Sequence, residues 1–393
     1  MKKLRILVGG YIGSYCTSGV TWDYIQYPLG LHLLGHDVYY IEDTLGYACH
    51  YDPDYKWDDP TPVVNYLEKT MNFFGLKDKW IYRDAISRKS FGIAESRFTE
   101  ICANADVFIN VSGSTYLRDE YLKIPSRVLI DSDPMFTQIP NSANKDMDFE
   151  GMGKLFSNYN NLFSFGENIN GADCKIPTHG YNWKTTRQPV CLDYWIHNDE
   201  NYSRKSFSTI MNLAARTNFH YDNQEWGQKD IELEKFISVP DLFNKAEFEI
   251  YLSHTIRNER RVDQDTLKEA GWRIYSAVES LKTTDSYNHF IKSSYAEFSV
   301  AKETYVKANT GWFSCRSACY LAAGRPVVVQ NTKCSEYIPS SKGLFYFDTL
   351  DDVLRALEDV VSNYDKHRNF AKEMAREYFD SGKVLTKMLD QLN

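Results

Sequence analysis

The chain has 393 residues, 43% hydrophobic and 25% charged, with a formal net charge of −8 and a pI near 5.7. That balance excludes a disordered chain and speaks against strong non-specific affinity for nucleic acid, while leaving room for a local basic groove. The length suits two domains of about 150 to 200 residues rather than one core, and no apolar run reaches the roughly 18 residues of a membrane span.

The opening MKKLRILVGG reads as a first strand, not a secretory leader, because the apolar run Leu4 to Val8 breaks at Gly9-Gly10. The loop that follows, GGYIGSY (9–15), is glycine-rich but lacks the full dinucleotide fingerprint. Residues 21–35 are helical apart from Pro28, with Gly35 as a C-cap, and 36–43 form a second strand ending in acidic residues. This is a βαβ unit of the Rossmann kind. His32 and His36 lie four apart with no third ligand near, so a packing role is expected rather than a metal site. Strands are expected over 105–115 and 127–134, each running into a Ser/Gly- or Asp-rich loop. In parallel sheets such carboxyl ends are where ligands bind.

Residues 145–200 mix short strands with turn formers, and a domain boundary falls after them. The chain then restarts with a strand at 207–215, a helix at 228–239 and a strand at 246–253. The segments 271–277, 287–301 and 325–331 continue this second unit, and 351–392 is helical. The expected architecture is therefore α/β in two parts: residues 1–200, residues 201–371, and a last helix over 372–393 that returns to the first domain. Arg257, Arg260 and Arg261 make the best local basic run, balanced by Glu259, Asp263 and Asp265. Eight cysteines with no Cys-x-x-Cys pair predict a reduced, cytoplasmic protein. The 28 Tyr and 22 Phe could wall a sugar or base site or simply fill the core.

The stretch TGWFSCRSACYLAAGRPVVV (310–329) carries the chemistry. A helix start has unpaired amides and a positive dipole end. Ser314, Arg316 and Ser317 cluster at that start, and a diphosphate would fit. Alternatively Ser314 only caps the helix and Arg316 is a solvated charge. Lys302, after EFSVA, could reach a phosphate or be an exposed lysine.

Residues 297–332 resemble the nucleotide-sugar signature of glycosyltransferases with the GT-B fold, two Rossmann-like domains facing across a cleft, and within that class members with a GWFSDRS core. Cys315 stands where that core has Asp, and Cys319 where many GT-B enzymes place a ribose-binding Glu. In that setting Gly10 and Gly13 would let a donor or acceptor approach the first-domain loop closely. VLIDSDPMFTQ (128–138) is similar to a strand and loop of the phage DNA β-glucosyltransferases, with Asp131 and Phe136-Thr137-Gln138 at matching spacing. That resemblance implies Asp131 as the catalytic base, with Asp133 beside it, and Arg316 and Arg216 as diphosphate ligands. Asp131-x-Asp133 also matches the metal-binding pair of the GT-A class, but it lies far from the donor-like signature.

The resemblance implies hexosyl or pentosyl transfer from a nucleoside diphosphate sugar, with a UDP-sugar as the expected donor, by base-assisted attack with inversion. The nucleotide-sugar is a co-substrate, and neither a prosthetic group nor a metal is expected. The acceptor is either a hydroxymethylated pyrimidine in phage DNA or a small molecule, cell-surface glycan or protein. An inactive sugar-nucleotide binding module is the third alternative.

Overall fold

The computed structural model describes residues 2–45, 56, 58–140, 149–196, 202, 205–253, 262–340 and 342–392. The arginine-rich run at 257–261 lies outside them.

The first sheet is built from β1 (Arg5–Gly9), β2 (Asp37–Glu42), β3 (Trp80–Arg83), β4 (Ser90–Gly92), β5 (Val107–Val111), β6 (Ser126–Asp131), β7 (Asn161–Ser164) and β8 (Trp183–Thr185). Their order across the sheet is β4-β3-β2-β1-β5-β6-β7-β8, and every pairing is parallel except β3 with β4. The inner strands are buried along nearly their whole length, as a sheet covered by helices on both faces requires.

The chain continues through β9 (Ser206–Met211), a small hairpin of β10 (Phe219–Tyr221) and β11 (Gln224–Trp226), and then β12 (Glu247–Leu252), β13 (Arg273–Ser276), β14 (Ala296–Ser299), β15 (Val327–Gln330) and β16 (Leu344–Phe347). The second sheet, β13-β12-β9-β14-β15-β16, is entirely parallel. Each sheet reverses its winding beside its own first strand, between β1 and β5 and between β9 and β14. Such switch points open a crevice at the carboxyl ends of the strands.

Helix Ser18–Leu33 joins the two units and continues across the buried Pro28. Its Trp22 indole donates to the carbonyl of Thr284 at 2.9 Å, and Ser18 Oγ donates to that of Leu281 at 2.6 Å. Gln26 is fully buried and accepts from the Cys191 amide at 3.0 Å. Helix Tyr364–Tyr378 stays on the second unit, against helix Cys315–Ala322. The return to the first unit comes at Asp380, which bridges to Val190, rather than near 372. Helix Ser381–Asp390 then packs so closely on Ser18–Leu33 that a Cβ on Gly30 would lie 2.6 Å from Leu385 Cδ1. Among the described residues, no helix is long and apolar enough to cross a membrane.

Candidate functional site

Two strand ends set the site. The chain leaving β9 carries Arg216, and the chain leaving β14 carries Lys302, so the second switch point is flanked by two cations. Helix Cys315–Ala322 begins beside them. Its N-cap, Ser314, makes no side-chain capping bond. One turn in, Ser317 is fully buried and its hydroxyl has no hydrogen-bond partner among the described residues. A buried hydroxyl without a partner is costly unless something else occupies the site.

Lys229, the first residue of helix Lys229–Lys235, completes the set. It lines a cavity of about 20 Å³ with Ser299, Trp312, Ser314, Arg316 and Ser317. Burial, followed by the Arg316 and Lys302 charges, lowers its ammonium pKa to about 7. No hydrogen bond or ion pair holds Lys229 among the described residues. Its position gave no periodic or motif signal in the sequence beyond the start of a helix.

Across the cleft stands Asp133, from the first unit. It pairs with Lys302 Nζ at 2.7 Å and with Arg216 at 3.5 Å, and it accepts from the Tyr305 hydroxyl. Burial alone would raise its pKa, but Lys302 and Arg216 hold it below the usual carboxylate range. Lys302 also lies 4.2 Å above the Phe136 ring centroid. The Trp312 indole donates to the Ser132 carbonyl at 3.2 Å, and Asn168 N donates to the Thr310 carbonyl at 3.1 Å. Gly311, at φ +74°, lets this seam close: a Cβ there would sit 2.6 Å from Asn168 N. The cleft is shut along this line, so a bulky ligand must part Asp133 from the cations.

Several expected roles change. Asp131 ends β6 fully buried, and its Oδ2 accepts from Ser164 Oγ and Gln138 Nε2, each at 2.7 Å, while Oδ1 accepts from the Asp133 amide at 3.1 Å. Burial raises its pKa against the hydrogen bonds of Ser164, Thr137 and Gln138. It clamps the 131–138 turn and offers no open oxygen to an acceptor. Asp131 and Asp133 face different partners, which is not the geometry of a shared metal site. Among the described residues no group of three or more His, Cys, Asp or Glu is placed to hold a metal ion.

Arg316 points inward. Its Nε donates to Glu297 Oε1 at 2.6 Å, Nη2 donates to Ser299 Oγ at 2.7 Å, and Nη1 donates to the Ile210 carbonyl. It walls the cavity and has little left to offer a diphosphate. Cys319 faces Gln26 of the first unit, with Nε2 3.8 Å from Sγ.

Gly10 and Gly13 are small for packing, not for a ligand. A Cβ on Gly10 would lie 2.8 Å from the Tyr40 ring, and one on Gly13 would lie 2.6 Å from Leu67 Cδ1. Their amides already serve the Ile41 carbonyl and Glu42 Oε2, at 3.1 and 2.8 Å.

No protein-family model matches the chain, and no curated protein matches it by sequence. Solved structures do. HepE of Anabaena, crystallised in complex with UDP and glucose, superposes with a TM-score of 0.57 at 9% identity, covering 99% of this chain and 100% of that one. A glycosyltransferase from Rickettsia africae gives a TM-score of 0.55 at 12% identity, covering 99% and 98%. TarM of S. aureus gives a TM-score of 0.46 at 13% identity, and the match spans 78% of this chain but only 59% of that longer one. The likenesses to HepE and to the Rickettsia africae protein show the fold: two Rossmann-like domains facing across a cleft, the GT-B arrangement.

Proposed function

We propose that the chain is a glycosyltransferase that moves a sugar from a nucleoside diphosphate sugar, with UDP as the nucleotide, onto an acceptor hydroxyl. The observation that carries this reading is the start of helix Cys315–Ala322, where Ser317, whose hydroxyl has no hydrogen-bond partner among the described residues, lines one cavity with Lys229, itself within reach of the Lys302 charge. A diphosphate supplies both the acceptor oxygens and the charge that this cradle lacks. HepE, which shares the fold, was crystallised with UDP and glucose.

As the sugar–phosphate bond breaks, negative charge grows on the departing diphosphate, and the three cations and the helix amides stabilise it in place of a metal. Asp133 holds Lys302 and Arg216 until the donor displaces it. In-line attack by a deprotonated acceptor hydroxyl then inverts the anomeric carbon.

The acceptor is read as a neutral hydroxyl compound or glycan rather than DNA. Several described cations outside the cradle already hold carboxylates: Arg118 and Arg83 on Asp43, Arg187 on Glu167, Lys333 on Asp173. The test is UDP release from UDP-glucose and UDP-N-acetylglucosamine, with simple sugars or a hydroxymethylcytosine duplex as acceptor, from roughly 50 to 200 mM salt. A nearly flat salt profile is expected. A steep fall confined to the duplex would restore the DNA acceptor through counterion release, and no release under any condition would end the reading.

Lys229 makes donor binding pH-dependent. Its ammonium titrates near pH 7 in the free protein, and a bound diphosphate raises that value by favouring the charged form. Binding therefore takes up a proton above pH 7. Donor affinity should be level below pH 7 and fall by up to about tenfold per unit above it, a slope that Lys229→Met should flatten. Titration calorimetry at pH 6.5 and 8.5 in two buffers of different ionisation enthalpy reads both the affinity and the proton.

A further inference from the structure

Resting on the proposed sugar transfer, we propose that Asp23 is the base that takes the proton from the acceptor hydroxyl. Six carboxylates on or near the strand ends and the helix that joins the two units can be separated by what already holds them. Asp131 is enclosed by Ser164 and Gln138. Asp133 is paired with Lys302, and Glu297 with Arg316. Glu42 accepts from the Gly13 amide and the Tyr40 hydroxyl, and Asp43 from Arg118 and Tyr121. Asp23 alone of these six has no hydrogen-bond donor and no ion-pair partner among the described residues.

Its place is also suitable. Helix Ser18–Leu33 packs on helix Cys315–Ala322, with Gln26 against Cys319. Asp23, one turn before Gln26, faces Cys315 and Arg316, one turn before Cys319. It therefore stands on the first-domain wall level with the cradle, across from where the diphosphate end of a donor would lie. The groups around it are Arg316, Cys315, Cys319, Tyr287 and, on its own helix, Tyr24 and Tyr27. Arg316 is the one cation in that list, and its guanidinium is taken by Glu297. Burial raises the Asp23 pKa to about 7, with Arg316 opposing. A carboxyl in that range is a far better proton acceptor at neutral pH than the depressed Asp133.

The step balances. The acceptor O–H bond gives its proton to Asp23, the oxygen pair forms the new bond to the anomeric carbon, and the pair of the old carbon–oxygen bond leaves with the diphosphate. Asp23 then releases the proton to water.

The test compares wild type, Asp23→Asn and Asp23→Glu by UDP release from UDP-glucose or UDP-N-acetylglucosamine, with water or a simple sugar as acceptor. Asp23→Asn should lose about 10²- to 10⁴-fold in kcat with donor affinity unchanged. Wild-type kcat should rise with pH through about 7, a limb that Asp23→Glu keeps, at reduced rate, and Asp23→Asn loses. An acid with a raised folded-state pKa costs stability once pH passes its unfolded value, so Asp23→Asn should melt at pH 8 no lower than wild type. A wild-type rate and intact acid limb in Asp23→Asn would overturn the assignment and leave the transferase reading standing. A lower melting temperature with proportional loss of active protein would also overturn it, as a merely structural role. A wild type that neither binds nor cleaves a nucleotide-sugar would end both readings.

Discussion

Arg316→Ala should unfold the second domain far more readily than it weakens any ligand. Glu297 lies on β14 with no exposed surface, and the Arg316 guanidinium is its ion partner at 2.6 Å. The other carboxylate oxygen of Glu297 already lacks a hydrogen bond among the described residues. Removing one partner of a buried pair leaves an uncompensated charge and costs roughly 3–5 kcal/mol. For a domain of about 150 to 250 residues that is a fall in melting temperature of roughly 6 to 20 °C. The double variant Arg316→Met with Glu297→Leu should recover much of it, because the buried charge goes with its partner. Differential scanning of the three proteins reads this directly. An Arg316→Ala protein that melts with wild type would mean that Glu297 needs no cation.

Lys302→Met should have the largest effect on donor binding. Its side chain is only 13% exposed and follows β14 by three residues, with Asp133 as a stand-in for the ligand's anion. A hydrogen bond to a charged group contributes about 1.5–3 kcal/mol, so the dissociation constant for a UDP-sugar should rise roughly 10- to 150-fold. Arg216→Met should cost less, since that side chain is 33% exposed and its pair with Asp133 is longer, at 3.5 Å. Asp133→Asn should do the opposite, leaving affinity equal or tighter because it frees both cations. If Asp133→Asn weakened binding as much as Lys302→Met, Asp133 would be a donor ligand rather than its competitor.

Much of the parallel framework was legible because continuous apolar runs such as RILVG, VFINV and VVVQ have few other uses than buried strands. The strands β7 and β8 were not, because NLFS and WKT are short and embedded among Asn, Gly and Pro. The segment 287–301 held two elements: Thr283 and Ser286 cap each other to start helix Thr284–Ser293, and β14 follows after Ser294 and Tyr295. At the site, Lys302, Arg216 and Ser317 were readable as cation or helix start beside a strand end. Asp131 was not, since a strand-end aspartate reads the same whether it faces the cleft or turns inward to a serine 33 residues on. Arg316 failed likewise: its partner Glu297 lies 19 positions earlier on a strand where alternate burial cannot be told from a charged edge. Lys229 and Asp23 carry no motif at all, and only tertiary burial marks them out.

The most direct measurement is calorimetric titration of the wild-type protein with UDP-glucose and UDP-N-acetylglucosamine in excess EDTA, repeated with Lys302→Met. The cradle of Lys229, Lys302, Arg216 and the helix start predicts saturable one-site binding in the chelator, weakened by the substitution. Binding that vanished in EDTA and returned with Mn²⁺, or that was indifferent to Lys302, would contradict it.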